Sequence, residues 1–153
     1  MKALIKQITQ TEAQSSALIL RITLALVLWP HGAQLFAGLF GGYGFSASMG
    51  YFEQQGLSAI ISFLTIFLLF FGTIFILLGL FTRPFAIAFI ILFLGMIIKV
   101  HLPSGFFMNW MGNQKGEGFE YHLLLIGIAV TLLIMGGGKL SIDRFISREE
   151  KVS

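Results

Sequence analysis

Residues 59–80 read AIISFLTIFLLFFGTIFILLGL, 22 positions without a charged side chain. A helix rises 1.5 Å per residue and needs about 20 apolar residues to cross a hydrocarbon core. The uncharged window around this run is wider still, since Glu53 and Arg83 are its nearest charges. A transmembrane helix is therefore expected here. Composition agrees: 56% of the chain is hydrophobic and 11% charged, with mean hydropathy +0.88. Soluble domains run about 45–50% apolar and about 25% charged. So little polar surface excludes an ordinary soluble core. It equally excludes a disordered chain or a nucleic-acid-binding domain with a basic face, for net charge is only +3.

Working outward, residues 22–52 also lack Asp, Glu, Lys and Arg, and a first span fits 17–40. Pro84 suits a helical first turn, and a third span is expected over 84–102. A fourth is expected over 121–138, its apolar part stopping at the glycines that begin with Gly136. Backbone groups in lipid must bond internally, so the expected fold is all-α: an integral-membrane four-helix transmembrane bundle. It forms a single domain over 1–153, ending in a cytoplasmic tail at 139–153. Lys2 and Lys6 imitate the start of a signal peptide. Arg21 interrupts the apolar stretch, however, and no A-x-A site follows closely, so the first span is expected to be retained.

Basic residues near helix ends set orientation. Lys2, Lys6, Arg21, Arg83, Lys139, Arg144, Arg148 and Lys151 all fall on the side of the two termini, which are therefore placed in the cytoplasm. The opposite loops carry only Lys115. Short interfacial segments are expected after spans one and three. In 41–56, Ser46 could cap a short helix ending at Gly56, among Tyr43, Phe45, Tyr51 and Phe52. In 103–119 lie Phe106, Phe107, Trp110 and Phe119.

Ionisable groups inside spans are expensive, about 2.5–3.5 kcal/mol at the centre on insertion scales, and are functional candidates by default. His31 stands ten residues past Arg21, about 15 Å further out. Lys99 lies about 22 Å beyond Pro84, and His101 about 3 Å further. Glu117, Glu120, Tyr121 and His122 open the fourth span, and Glu53 precedes the second. The polar groups thus gather in the outer half of the bundle. Plainer roles exist for each. Lys99 could snorkel to the interface or pair with Glu120, and His31 could satisfy a carbonyl freed by Pro30.

The chain has no cysteine, which removes disulfides, thiolate metal sites and cysteine nucleophiles. Redox chemistry would have to belong to a bound ligand or a partner. Three histidines and a carboxylate could ligate a metal, but neither H-x-x-x-H nor E-x-x-H occurs, and no metal site is assigned. A bis-histidine haem, His31 with His101 or His122, ranks below a quinone. Phe63, Phe67, Phe71 and Phe75, like Phe81, Phe85, Phe89 and Phe93, recur every four residues along one helix face. Packing stripes explain them first, and a slot for a flat hydrophobic ligand second. Gly38 to Gly42 fits a helix-contact pattern, but a loop start fits better because Gly44 follows.

Arg21, then His31-Gly32-Ala33-Gln34-Leu35-Phe36, then Phe40-Gly41-Gly42-Tyr43-Gly44, resemble the DoxX family of small bacterial membrane proteins. The stretch Gly116-Glu117-Gly118-Phe119-Glu120-Tyr121 resembles the start of that family's fourth helix. Gly136-Gly137-Gly138-Lys139-Leu140-Ser141-Ile142-Asp143 resembles its glycine-rich exit. The resemblance covers about residues 17–144. One departure is that no Lys follows Gln34. The resemblance implies a multi-pass protein of the bacterial inner membrane, linked to redox metabolism. By position it nominates Arg21, His31, Gln34, Glu117 and Glu120.

Three functions follow as expectations. The first is a redox-associated subunit binding a quinone or similar aromatic in the outer half. His31 and His122 would bond its oxygens, Glu120 would orient a histidine, and Lys99 would stabilise negative charge. Gln34, His101, Glu117, Trp110 and Arg21 complete the candidate ligand-binding residues. The second is a non-enzymatic scaffold or assembly partner of a redox or stress enzyme. The third is a small transporter or metal-handling protein, disfavoured by the lack of an inverted repeat or a polar path through the inner half. Expected partners are the lipid bilayer, a redox enzyme and further copies of the chain, not nucleic acid.

Overall fold

The computed structural model describes residues 7–11 and 14–149, all helix and connection without a strand. Lys2, Lys6, Lys151 and the end of the expected tail lie outside the described residues. The long helices are α1 (Ser15–Ala37), α3 (Ala59–Leu78), α4 (Thr82–Ser104) and α5 (Glu120–Met135), with shorter α2 (Gly44–Gln54) and α6 (Ile142–Glu149). The helices α1, α3 and α4 are long and apolar enough to cross a membrane. At 16 residues α5 is shorter, about 24 Å of rise.

These bounds shift the expected ones by a few residues. The first helix ends at Ala37 because Gly38 takes a left-handed conformation, φ 70°, and donates its N–H to Ala33. Ser46 caps nothing, since α2 already begins at Gly44. Thr82 and Arg83 belong to α4, whose start is set by Phe81 in a left-handed conformation.

Two helices carry a wide π-turn. In α3 it spans Leu68–Gly72, and the N–H of Thr73 bonds Leu68 rather than Leu69. The bypassed Leu69 carbonyl accepts from the Thr73 hydroxyl at 2.7 Å. Gly32 of α1 packs on this turn, where any Cβ would strike the Leu69 carbonyl and the Phe70 amide. A glycine is required for so close a backbone approach. In α4 the π-turn spans Ile97–His101.

The core joins all four long helices: Leu24 and Leu28, Leu69 and Ile76, Phe89 and Phe93, then Leu125, Ala129 and Leu132. Helix α4 packs chiefly on α5, and α1 on the middle and end of α3. Leu26, Ile60, Ile91, Leu124 and Ile134 instead point outward, exposed by well over half. Apolar residues on both the inside and the outside of a helical bundle suit lipid as the surrounding medium.

At one end the chain is tied by buried polar groups. Arg21, 1% exposed, donates from Nη1 to Gly137 and from Nη2 to Leu77 and Leu140. Asp143, also 1% exposed, accepts from the amides of Phe81 and Thr82 at 2.7 and 2.9 Å, capping α4. Gly79, at φ 64°, leaves the space that Arg21 and Ser141 fill. Arg83 bonds the carbonyls of Gln10 and Ile134 at this same end. The first residues of α1 and α4 and the last of α3 and α5 therefore meet here, and the long loops lie at the other end.

Candidate functional site

The loop end brings His101 and His122 together. Their rings lie 4.2 Å apart, centroid to centroid, tilted by 39°. The wide turn at Ile97–His101 places His101 three residues before the end of α4, while α5 begins at Glu120 and presents His122 in its first turn. Wide turns of this kind recur at functional sites. His101 Nδ1 lies 2.9 Å from the Glu117 carbonyl. A carbonyl only accepts, so Nδ1 must carry the proton, which leaves Nε2 of the neutral ring as the acceptor and base.

His122 is 6% exposed, and its Nδ1 is buried with no hydrogen-bond partner among the described residues. An orphaned buried polar atom costs about 1–3 kcal/mol, so it calls for an explanation. Phe93 meets the His122 ring edge-on at 6.2 Å, and Tyr121 at 5.8 Å. The two imidazoles thus sit against an aromatic wall, of which Phe93 is part of the core.

Glu117 and Glu120 shape the roof. Glu120 accepts from the Met108 amide at 3.0 Å, and Glu117 from the Asn109 amide at 2.7 Å. Glu120 is turned to the loop and makes no ion pair with Lys99. Asn109 and Gln114 close the loop with two further bonds, and Phe119 and Glu120 donate to Gly105 and Phe106. Gly118 has no room for a Cβ against the Phe107 carbonyl. The loop is folded over the α4–α5 end by backbone and carboxylate bonds.

The other candidates stand apart from this pair. Lys99 is exposed on α4, and Trp110, 85% exposed, tips the loop beside exposed Met111. His31 is exposed on α1 and has no ring contact with the other histidines. Gln34 bonds the Phe40 carbonyl at 3.2 Å and so holds the glycine turn, with Gly42 pressed onto its backbone. Arg21 lies at the opposite end, enclosed by carbonyls. Among the described residues no three His, Asp or Glu side chains converge as metal ligands.

The phenylalanine stripes divide. Phe89 and Phe93 are buried and stack at 5.8 Å. Phe63, Phe67 and Phe71 run along α3 in successive ring contacts, and Phe36 stacks on Phe70 at 4.6 Å. Asp143 and Gly32 hold structural roles that their single positions in the sequence do not announce. An acidic residue just beyond the glycine triplet, next to Arg144, is the signal that would have found Asp143.

No curated protein and no solved structure matches the chain. The DoxX family model does, over residues 16–102. That region contains Arg21, the glycine that fits the α3 turn, the Gln34-held loop and α4 as far as His101. More than half of the chain is covered, and the protein belongs to the DoxX family of membrane proteins.

Proposed function

We propose that the loop end binds the head of a quinone or a similar flat hydrophobic aromatic, and that the protein is a redox-associated membrane component. The observation carrying this reading is the buried, partnerless Nδ1 of His122 beside the His101 ring. A quinone supplies oxygens that accept or donate according to its redox state, and imidazole nitrogens can do either. His101 Nε2 and His122 Nδ1 would take one oxygen, with Phe93 and Tyr121 against the ring. The quinone itself would supply the electron chemistry. The chain contributes orientation, a dry apolar wall and a place to hold a proton at His101 Nε2.

The arrangement in the membrane belongs to the same proposal. The helices α1, α3, α4 and α5 form four spans, with both termini on the cytoplasmic face of a bacterial inner membrane. Arg83, Lys139, Arg144 and Arg148 at the terminal end support that orientation. The histidine pair then faces the outer half. Titration of folded protein in detergent with a soluble quinone tests it. Saturable binding that weakens at least about tenfold in H101A is expected. No binding by the folded wild type overturns the reading.

A second reading has its own support. Trp110 and Met111 are the most exposed large apolar side chains at the loop tip, as expected of a scaffold that docks a redox or stress enzyme. A stable partner recovered with wild type and H101A alike, but lost in W110A, would favour that function.

A further inference from the structure

We propose that α6 lies in the membrane surface and that the groove beside it holds the phosphate of an anionic phospholipid. The helix IDRFISRE is two-sided. At 100° per residue, Ile142, Phe145 and Ile146 share one face, and Arg144 and Arg148 the adjoining one. A groove of about 300 Å³ runs between them, lined by Leu140, Ser141, Arg144, Phe145 and Arg148. None of its lining residues is acidic. Neither Arg144 nor Arg148 makes a side-chain hydrogen bond or ion pair among the described residues.

The position of α6 is fixed, not free. Ser141 caps its start, accepting from the Arg144 amide at 3.2 Å. Asp143 binds the Phe81 and Thr82 amides, and its own amide donates to Gly79 at 2.9 Å. Phe81 and Thr82 stand where the membrane-crossing α4 begins. Asp143 therefore pins α6 at the level where hydrocarbon gives way to head groups, and the helix cannot swing into bulk water without breaking the α4 cap.

At that level the groove has two demands. Leu140 is 81% and Phe145 64% exposed, an apolar surface that water would solvate poorly. Beside them stand the guanidinium groups of Arg144 and Arg148, unpaired among the described residues, and exposed Lys139. A free anion would answer the charges and leave Leu140 and Phe145 wet. A zwitterionic lipid would cover the apolar side and bring its own cation to the arginines. An anionic phospholipid answers both, with phosphate on the guanidinium forks and acyl chain along Phe145 and Leu140.

The test uses the full chain in nanodiscs of mixed phosphatidylglycerol and phosphatidylcholine, released for native mass spectrometry. Wild type is expected to retain phosphatidylglycerol in preference to phosphatidylcholine. R144Q/R148Q is expected to lose that preference, by about five-fold for each arginine removed. Thermal unfolding checks that the variant keeps its fold, since Arg21 and Asp143 are untouched. Equal retention by folded wild type and variant overturns the lipid site. Displacement of the lipid by excess inorganic phosphate also overturns it, in favour of a free-anion site. Because the chain has no cysteine, a spin label at F145C is unique. Its collision rate should be higher with oxygen than with a water-soluble nickel chelate, and the reverse would place α6 in water.

Discussion

Arg21 donates from Nη1 to the carbonyl of Gly137, a residue 116 positions away in the chain. Its Nη2 reaches Leu77 and Leu140 at 3.0 and 3.1 Å. One planar fork thus closes the ends of α1, α3 and α5. R21M keeps the apolar stem but leaves three carbonyls without their donor, each worth about 1–3 kcal/mol when unsatisfied in a buried place. A large fall in the melting temperature in detergent is expected. R21K should fall in between, because an ammonium cannot span three acceptors as a guanidinium does. An unchanged melting temperature in R21M would show that the clamp contributes nothing.

Asp143 gives the terminal end a pH dependence. Burial pushes its carboxyl above the ordinary value of 3.8, and the Thr82 and Phe81 amides and Arg21 draw it only part of the way back. The folded chain then holds this proton more tightly than the unfolded one. For a group raised in this way, the stabilisation is complete below 3.8 and is lost as pH rises through the folded value. D143N cannot titrate. The stability of wild type relative to D143N should therefore increase as pH is lowered from 7 towards 4, measured by thermal unfolding of both at each pH. A decrease would mean that the two amides and Arg21 outweigh desolvation.

Gly32 and Gly95 form a matched pair. A methyl at Gly32 meets the Leu69 carbonyl, whereas one at Gly95 has nothing within 4 Å. G32A must push α1 off the wide turn of α3, at about 1–3 kcal/mol for overpacking. G95A should be neutral, or gain about 0.5–1 kcal/mol from helix propensity. Their melting temperatures should move apart. If both variants behave alike, close packing at Gly32 is not what holds α1 to α3.

These cases mark how far the sequence could be read. The uncharged run at 59–80 shows directly, because a missing charge over 22 residues has few explanations. The wide turn inside it does not, since one extra residue in a uniformly apolar run leaves the hydropathy pattern unchanged. Depth arithmetic separates Arg21 from His31, but the partners of Arg21 are carbonyls, which carry no side-chain signature. The same arithmetic brings His101 and His122 to one level. It cannot choose between them and His31 as neighbours, because rotation about each helix depends on packing, and the turn at Ile97–His101 alters that rotation for His101.

His122 allows stability and binding to be separated. Its Nδ1 is buried without a partner among the described residues, as are Arg21 Nε, Ser48 Oγ and Thr82 Oγ1, but of these four it alone stands beside a second imidazole. Replacing it by leucine removes the orphaned atom and retains contact with Phe93 at the wall. H122L should therefore melt at or above the wild-type temperature, by up to about 1–3 kcal/mol of recovered desolvation. The same variant should bind a soluble quinone at least about tenfold more weakly, the loss of about 1.4 kcal/mol or more expected for one hydrogen bond. Stability and affinity moving in opposite directions is the signature of a polar group kept for a ligand. If H122L instead unfolds, His122 is a structural residue and the site must be sought elsewhere.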